Sequence, residues 1–141
     1  MSGHIEHRGE QVVRRGVVQP ITPAVIARGP LIFVAGQIPM VNGAPAPGGI
    51  RGQTHAAIDM IEVILKECGA GLQDVVKTTV WLVNAADYDG FNAAYAERFA
   101  HLPPARATVV SALVPPVLVE IDTVAVLPDA GLDSSALPTR R

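Results

Sequence analysis

The sequence holds a single cysteine, Cys68, so no disulfide can form within the chain. Cys68 sits at the end of an apolar helical stretch with no histidine beside it to activate it, and reads as a buried structural thiol. Charged residues are scarce, 17% against 49% hydrophobic. So thin a charged surface points to area hidden in an oligomer. Eleven basic residues against thirteen acidic give a net charge of -2, which leaves no electrostatic footprint for nucleic acid. No apolar run approaches the ~20 residues of a membrane span and no signal peptide opens the chain, so no membrane partner and a cytoplasmic location are expected. Also missing are a glycine-rich phosphate loop, Cys-x-x-Cys, a serine elbow and His-Glu-x-x-His. His4 and His7 have metal-compatible spacing but no third ligand nearby, so no metal site is expected.

What is present fits one domain of 141 residues. Residues 1–10 are polar and expected to form a flexible tail, 11–128 the domain, and 129–141, rich in Ser, Gly, Pro and Arg, a second flexible tail. A first strand is expected over Gln11–Val18. Leu31-Ile32-Phe33-Val34-Ala35 is an apolar run bounded by Gly29-Pro30 and Gly36, the pattern of a buried strand. Glycine and proline between Val41 and Arg51 mark a loop or hairpin tip. Ala57, Met60, Ile61, Ile64, Leu65 and Cys68 share one face of a helix over Thr54–Cys68, with Thr54 as N-cap and Gly69 as stop. Val75–Val83 is rich in β-branched residues on both faces, as in a central strand. A second helix follows over Tyr88–Ala100, its Phe91, Tyr95 and Phe99 stripe expected in the core. After an opening hairpin, this β-α-β-α-β rhythm predicts an α+β fold with two helices on one face of a mixed sheet. The other face is left apolar and bare, and so requires a partner.

Two charges stand out in the last strands. Arg106 opens an apolar strand over Arg106–Leu113, and Glu120 lies within another over Val117–Val126. The short Val114-Pro115-Pro116 link makes these strands expected neighbours. Alternation places Leu118, Glu120, Asp122 and Val124 on one face, with Val119, Ile121 and Thr123 on the other. Charges among valines need partners. Either Arg106 and Glu120 pair with each other, or Arg106 grips a ligand carboxylate with its planar fork while Glu120 handles a proton or water.

Phe33-Val34-Ala35-Gly36-Gln37-Ile38-Pro39, Val75-Val76-Lys77-Thr78-Thr79-Val80, Phe91-Asn92-Ala93-Ala94-Tyr95, Pro104-Ala105-Arg106 and Val119-Glu120-Ile121 occur in the order found in the RidA/YjgF family. From about Val17 to Leu127 the chain resembles that family, which includes the enamine/imine deaminases and members described as endoribonuclease L-PSP. The resemblance implies a chorismate-mutase-like fold with a six-stranded mixed sheet, and a homotrimer with a central β-barrel and ligand clefts between subunits. It further implies hydrolysis of a 2-enamine or 2-imino acid to the 2-keto acid and ammonia, with no cofactor. Arg106 would clamp the substrate carboxylate, Glu120 would position water, and Asn92 would lie near the cleft.

The chain departs from the family where a cleft tyrosine is common: it has Ile21-Thr22-Pro23-Ala24, which makes Thr22 a substitute substrate-binding residue. Thr108 stands where cysteine is common, two residues after the arginine. The loops before Arg106 and before Glu120 are shorter. A non-catalytic trimer that binds a small carboxylic acid as a regulatory signal is the alternative the absent tyrosine keeps open.

Overall fold

Two glycine-assisted reversals shape the first half of the chain. The computed structural model describes residues 5–99 and 101–128. Strand β1 (Ile5–Arg8) pairs antiparallel with β4 (Ala24–Ala27). Between them, β2 (Val13–Arg14) and β3 (Val17–Val18) form a hairpin turned by Arg15 and Gly16, at φ 52° and 77°. Two consecutive positive φ values match the right-handed twist of the flanking strands. This corrects two expectations. The single strand over Gln11–Val18 is a hairpin, because Gly16 lets the chain reverse. The tail over 1–10 contains a paired strand, because alternation of half-buried Ile5 and His7 with exposed Glu6 and Arg8 gives it one side to pack. His4 and residues 129–141 lie outside the described residues.

Strand β5 (Leu31–Gln37) leads into a second hairpin, β6 (Met40–Val41) with β7 (Ala44–Pro45), turned by Asn42-Gly43. Helix α1 (Gly49–Glu67) then begins five residues before the expected Thr54. Gly48, at φ 99°, occupies the N-cap without a side-chain bond, and Thr54 is fully buried inside the helix. Glycines at 48, 49 and 52 mimic a loop in sequence, yet the Gly52 N–H already bonds the Gly48 carbonyl. The far end is as expected. Gly69 N–H bonds Lys66 O and Ala70 N–H bonds Leu65 O, a pair that closes a helix through a left-handed glycine.

Strand β8 (Val75–Leu82), helix α2 (Tyr88–Arg98), β9 (Ala105–Val110) and β10 (Val119–Val126) complete the fold. The main sheet has the order β5-β10-β8-β9, with β10 antiparallel to β5 and β8, and β9 parallel to β8. The expected six strands are thus four in one sheet, with β1 and β4 paired apart. Gly29, at φ 125°, and Pro30, which lacks an N–H, separate β4 from β5. Nor are β9 and β10 neighbours. Ser111 N–H bonds Leu82 O, and Val83 N–H bonds Leu118 O, so the Pro115-Pro116 link passes across the end of β8. The β8–α2–β9 crossover had already placed β9 on the other side of β8.

Both helices cover one face of this sheet. Ala57, Ile58, Ile61 and Leu65 of α1 meet Phe91 and Tyr95 of α2 above Val80, Leu82, Val119 and Ile121, all buried. Each of the buried valine, leucine, isoleucine and phenylalanine side chains contributes about 1.5–3 kcal/mol by leaving water. The alternation expected along β10 holds: Val119, Ile121 and Thr123 are buried, while Glu120, Asp122 and Val124 are half-buried on the open face. That face also presents Phe33, 75% exposed, with Leu31 and Val109. Strand β8 is central in order but covered on one face only.

A Cβ at Gly52 would strike the backbone carbonyl of Pro47. Alanine normally stabilises a helix interior by about 1 kcal/mol over glycine. Here Gly52→Ala is expected to lower stability by about 1–3 kcal/mol. Urea denaturation reads the sign, and a more stable variant contradicts the tight Pro47 turn.

Candidate functional site

Arg106 has no carboxylate partner among the described residues. Its strand, β9, is paired along one side only, and the side chain points to the helix face beside buried Thr78. The guanidinium carbon lies 4.9 Å from the ring centre of Tyr95, 5.2 Å from Phe91 and 5.7 Å from Tyr88. Three π faces within about 6 Å offset part of the cost of burying the charge. One terminal nitrogen donates to Asn92 Oδ1 at 2.8 Å and the other to Tyr88 Oη at 2.9 Å. Nε is buried without a partner among the described residues. Of the five N–H bonds on an arginine, three therefore remain unspent. Burial pulls the guanidinium below its usual pKa, the Tyr95 and Tyr88 phenols oppose that, and the charge of Arg14 adds to it.

Around this cation runs a polar cluster that the sequence reading did not assemble. Gln19 Oε1 accepts from Tyr88 Oη at 2.7 Å and from Asn92 Nδ2 at 2.8 Å. Arg14, on the β2–β3 hairpin, donates to the same Tyr88 oxygen at 3.2 Å. Tyr88 extends the α2 aromatic stripe back one turn, three residues before Phe91, a spacing visible in sequence. Gln19 and Arg14 lie far from Tyr88 along the chain and left no local signal.

The cluster opens into a cleft of about 880 Å³ at the unpaired edge of β9. Thr108, Val109 and Val110 form its floor, Tyr88, Asn92 and Ala96 one wall, and Arg14, Arg15, Val17 and Val18 the other. Thr108 lies on the same face as Arg106, and its hydroxyl is buried without a partner among the described residues. Arg106, Asn92 and Thr108 are thus gathered at one place.

Thr22 and Glu120 are elsewhere. Thr22 Oγ1 donates to Pro103 O and its N–H bonds Pro104 O, which fastens this segment to the entry of β9. It lines a separate cleft of about 440 Å³ with His7, Glu10 and His101. Glu120 lies opposite Trp81 on the open face, its carboxylate filling the space above Gly36 where a side chain would begin. The salt bridge between Arg106 and Glu120, left open by the sequence, is not formed: the two stand on strands separated by β8 and on opposite faces of the sheet. No hydrogen bond or ion pair holds the Glu120 carboxylate among the described residues.

His55 is half-buried near Glu97 and Arg98. Among the described residues no three His, Cys, Asp or Glu side chains gather as a metal site. No described helix is long and apolar enough to cross a membrane.

Residues 16–127 match the family model described as Endoribonuclease L-PSP. A RutC family protein from Pyrococcus abyssi is 44% identical over 112 residues, covering 76% of this chain and 88% of that one. Another from Synechocystis is 40% identical over 116 residues, covering 79% and 88%. Among solved structures, a YjgF-family protein from Neisseria meningitidis superposes with a TM-score of 0.65 at 29% identity, covering 89% and 96%. One of the YjgF/YER057c/UK114 family from Mycobacterium tuberculosis gives 0.62 at 32%, covering 74% and 85%.

Beneath Arg106, the Tyr95 hydroxyl bonds Thr78 at 2.8 Å. Burial pushes this phenol well above its ordinary value of 10.0, against the hydrogen bond and the Arg106 charge. Unfolded chains therefore release this proton first as pH rises past about 10, so stability from this group is present below that pH and declines above it. Tyr95→Phe is expected to cost about 1–2 kcal/mol at neutral pH, by stranding Thr78, and to show a shallower alkaline decline. Denaturation on both sides of pH 10 measures both effects, and equal alkaline declines in the two proteins contradict them.

Proposed function

The chain belongs to the RidA/YjgF family, and from that premise we propose that it hydrolyses a reactive 2-imino acid, formed from a 2-enamine, to the 2-keto acid and ammonia. The observation that carries this reading is a pair of opposite charges kept apart. Among the described residues, Arg106 is buried with no anion and three N–H bonds to spare, while the Glu120 carboxylate is half-buried with no donor. Each is suited to a group that the isolated chain does not supply.

Arg106 grips the substrate carboxylate, with Asn92 and the Thr108 hydroxyl lining the approach. The protonated imine carbon is already electrophilic, so orientation and one proton acceptor do most of what is required. Glu120 holds a water and takes its proton as the C–O bond forms. Glu120 returns that proton to the carbinolamine nitrogen, the C–N bond breaks as the C=O bond forms, and the hydroxyl proton passes back to Glu120 as ammonia leaves. A carboxylate in this role contributes typically 10²–10⁴-fold.

Since one chain holds Arg106 and Glu120 on opposite faces, the working site draws on two copies. Repeated by rotation, the β9 edge of one copy faces the β5–β10 side of the next. Three copies close a ring and bury Phe33, Leu31 and Val109. The partners are then two further copies of this chain and a small carboxylic acid.

Glu120→Gln preserves shape and is expected to lower kcat about 10²–10⁴-fold with the fold intact. Arg106→Met is expected to act mainly on KM. Ammonia release, or suppression of semicarbazone formation, from imines generated by an amino-acid oxidase measures both. Turnover by Glu120→Gln equal to that of the unmodified protein overturns the assignment. Keto-acid binding without turnover in the unmodified protein instead indicates a regulatory binding protein.

A further inference from the structure

The β2–β3 hairpin brings a second cation to the cleft that the proposed reaction leaves unused. Arg14 and Arg106 both donate to the oxygen of Tyr88, at 3.2 and 2.9 Å. Their donor nitrogens are therefore no more than about 6 Å apart, across a neutral phenol. No ion pair holds Arg14 among the described residues. Arg15 stands beside it at the turn, and Asp89 is the one carboxylate of the lining. Their proximity also registers on the buried partner, since Arg14 helps to pull the Arg106 guanidinium down. Two like charges drawn to one oxygen are held against their repulsion, and an anion between them relieves it. Beyond the cations, Val17, Val18 and Val110 supply an apolar channel for a short carbon chain.

We propose that Arg14 determines specificity by receiving a second carboxylate, so that the preferred ligands are short 2-imino or 2-keto dicarboxylic acids. The first carboxylate goes to Arg106 and the second to Arg14, with Arg15 adding long-range attraction. This deepens the deaminase reading by naming its substrate class, and it rests on that reading for the reaction but not for the binding.

Calorimetric titration with 2-oxoglutarate and with 2-oxobutyrate, a dicarboxylic and a monocarboxylic product analogue, tests it. The unmodified protein is expected to bind the diacid at least about tenfold more tightly. In Arg14→Gln, at an exposed position where folding is not at stake, that preference should fall about 10–100-fold, the worth of one charge-assisted hydrogen bond. An absent preference, or one that survives Arg14→Gln, overturns the proposal. Imine turnover is measured separately. A diacid preference that depends on Arg14 in a protein without turnover sinks the deaminase reading alone, and turnover without that preference sinks this proposal alone.

Discussion

A guanidinium buried without a carboxylate is the constraint around which this fold is arranged. Arg106 is only 9% exposed, and an ionised group so placed costs several kcal/mol unless its surroundings answer the charge. They answer it with neutral groups: three aromatic faces, a phenol oxygen and an amide oxygen. A carboxylate there would have neutralised the arginine permanently. Neutral partners leave the charge standing and N–H bonds unspent, the state in which a protein can still attract a carboxylate from outside. Phe91 and Tyr95 are therefore both core and cage, and α2 is fixed against β9 by the buried cation they surround.

Topology governs the other half of the account. Placing β8 between β9 and β10 puts Arg106 and Glu120 two strands apart, and the pleat puts them on opposite faces. No side-chain rearrangement brings them together within one chain. The sheet face that carries Glu120 is also the one with exposed Phe33, Leu31 and Val109. In the proposed assembly, the physical need to cover that face and the chemical need to unite the two charges are met together.

Much of this was legible in the sequence where the signal was periodic. The alternation along Val119–Val126 gave the correct faces because the strand is half-buried, and the apolar face of α1 followed from three- and four-residue spacing. Local signals misled in two places. Pro115-Pro116 looked like a hairpin link, although the crossover through α2 had already occupied one side of β8. The glycines before Thr54 looked like a loop, although Gly48 starts the helix. Motif order pointed to Arg106, Asn92 and Glu120. The cluster of Gln19, Tyr88 and Arg14 is made by contacts between distant parts of the chain, which no local pattern encodes. Thr22, expected at the cleft through the absent tyrosine, instead fastens its segment to the residues before β9.

The claim that the site is shared between copies is tested most directly by subunit mixing. Arg106→Met and Glu120→Gln chains, each impaired alone in kcat/KM, are co-refolded and assayed for imine hydrolysis at low substrate concentration. Mixed rings contain a boundary at which an intact Arg106 from one chain meets an intact Glu120 from the next, so activity well above either parent is predicted. Mixed oligomers, verified by mass, that remain as impaired as their parents would contradict the shared site.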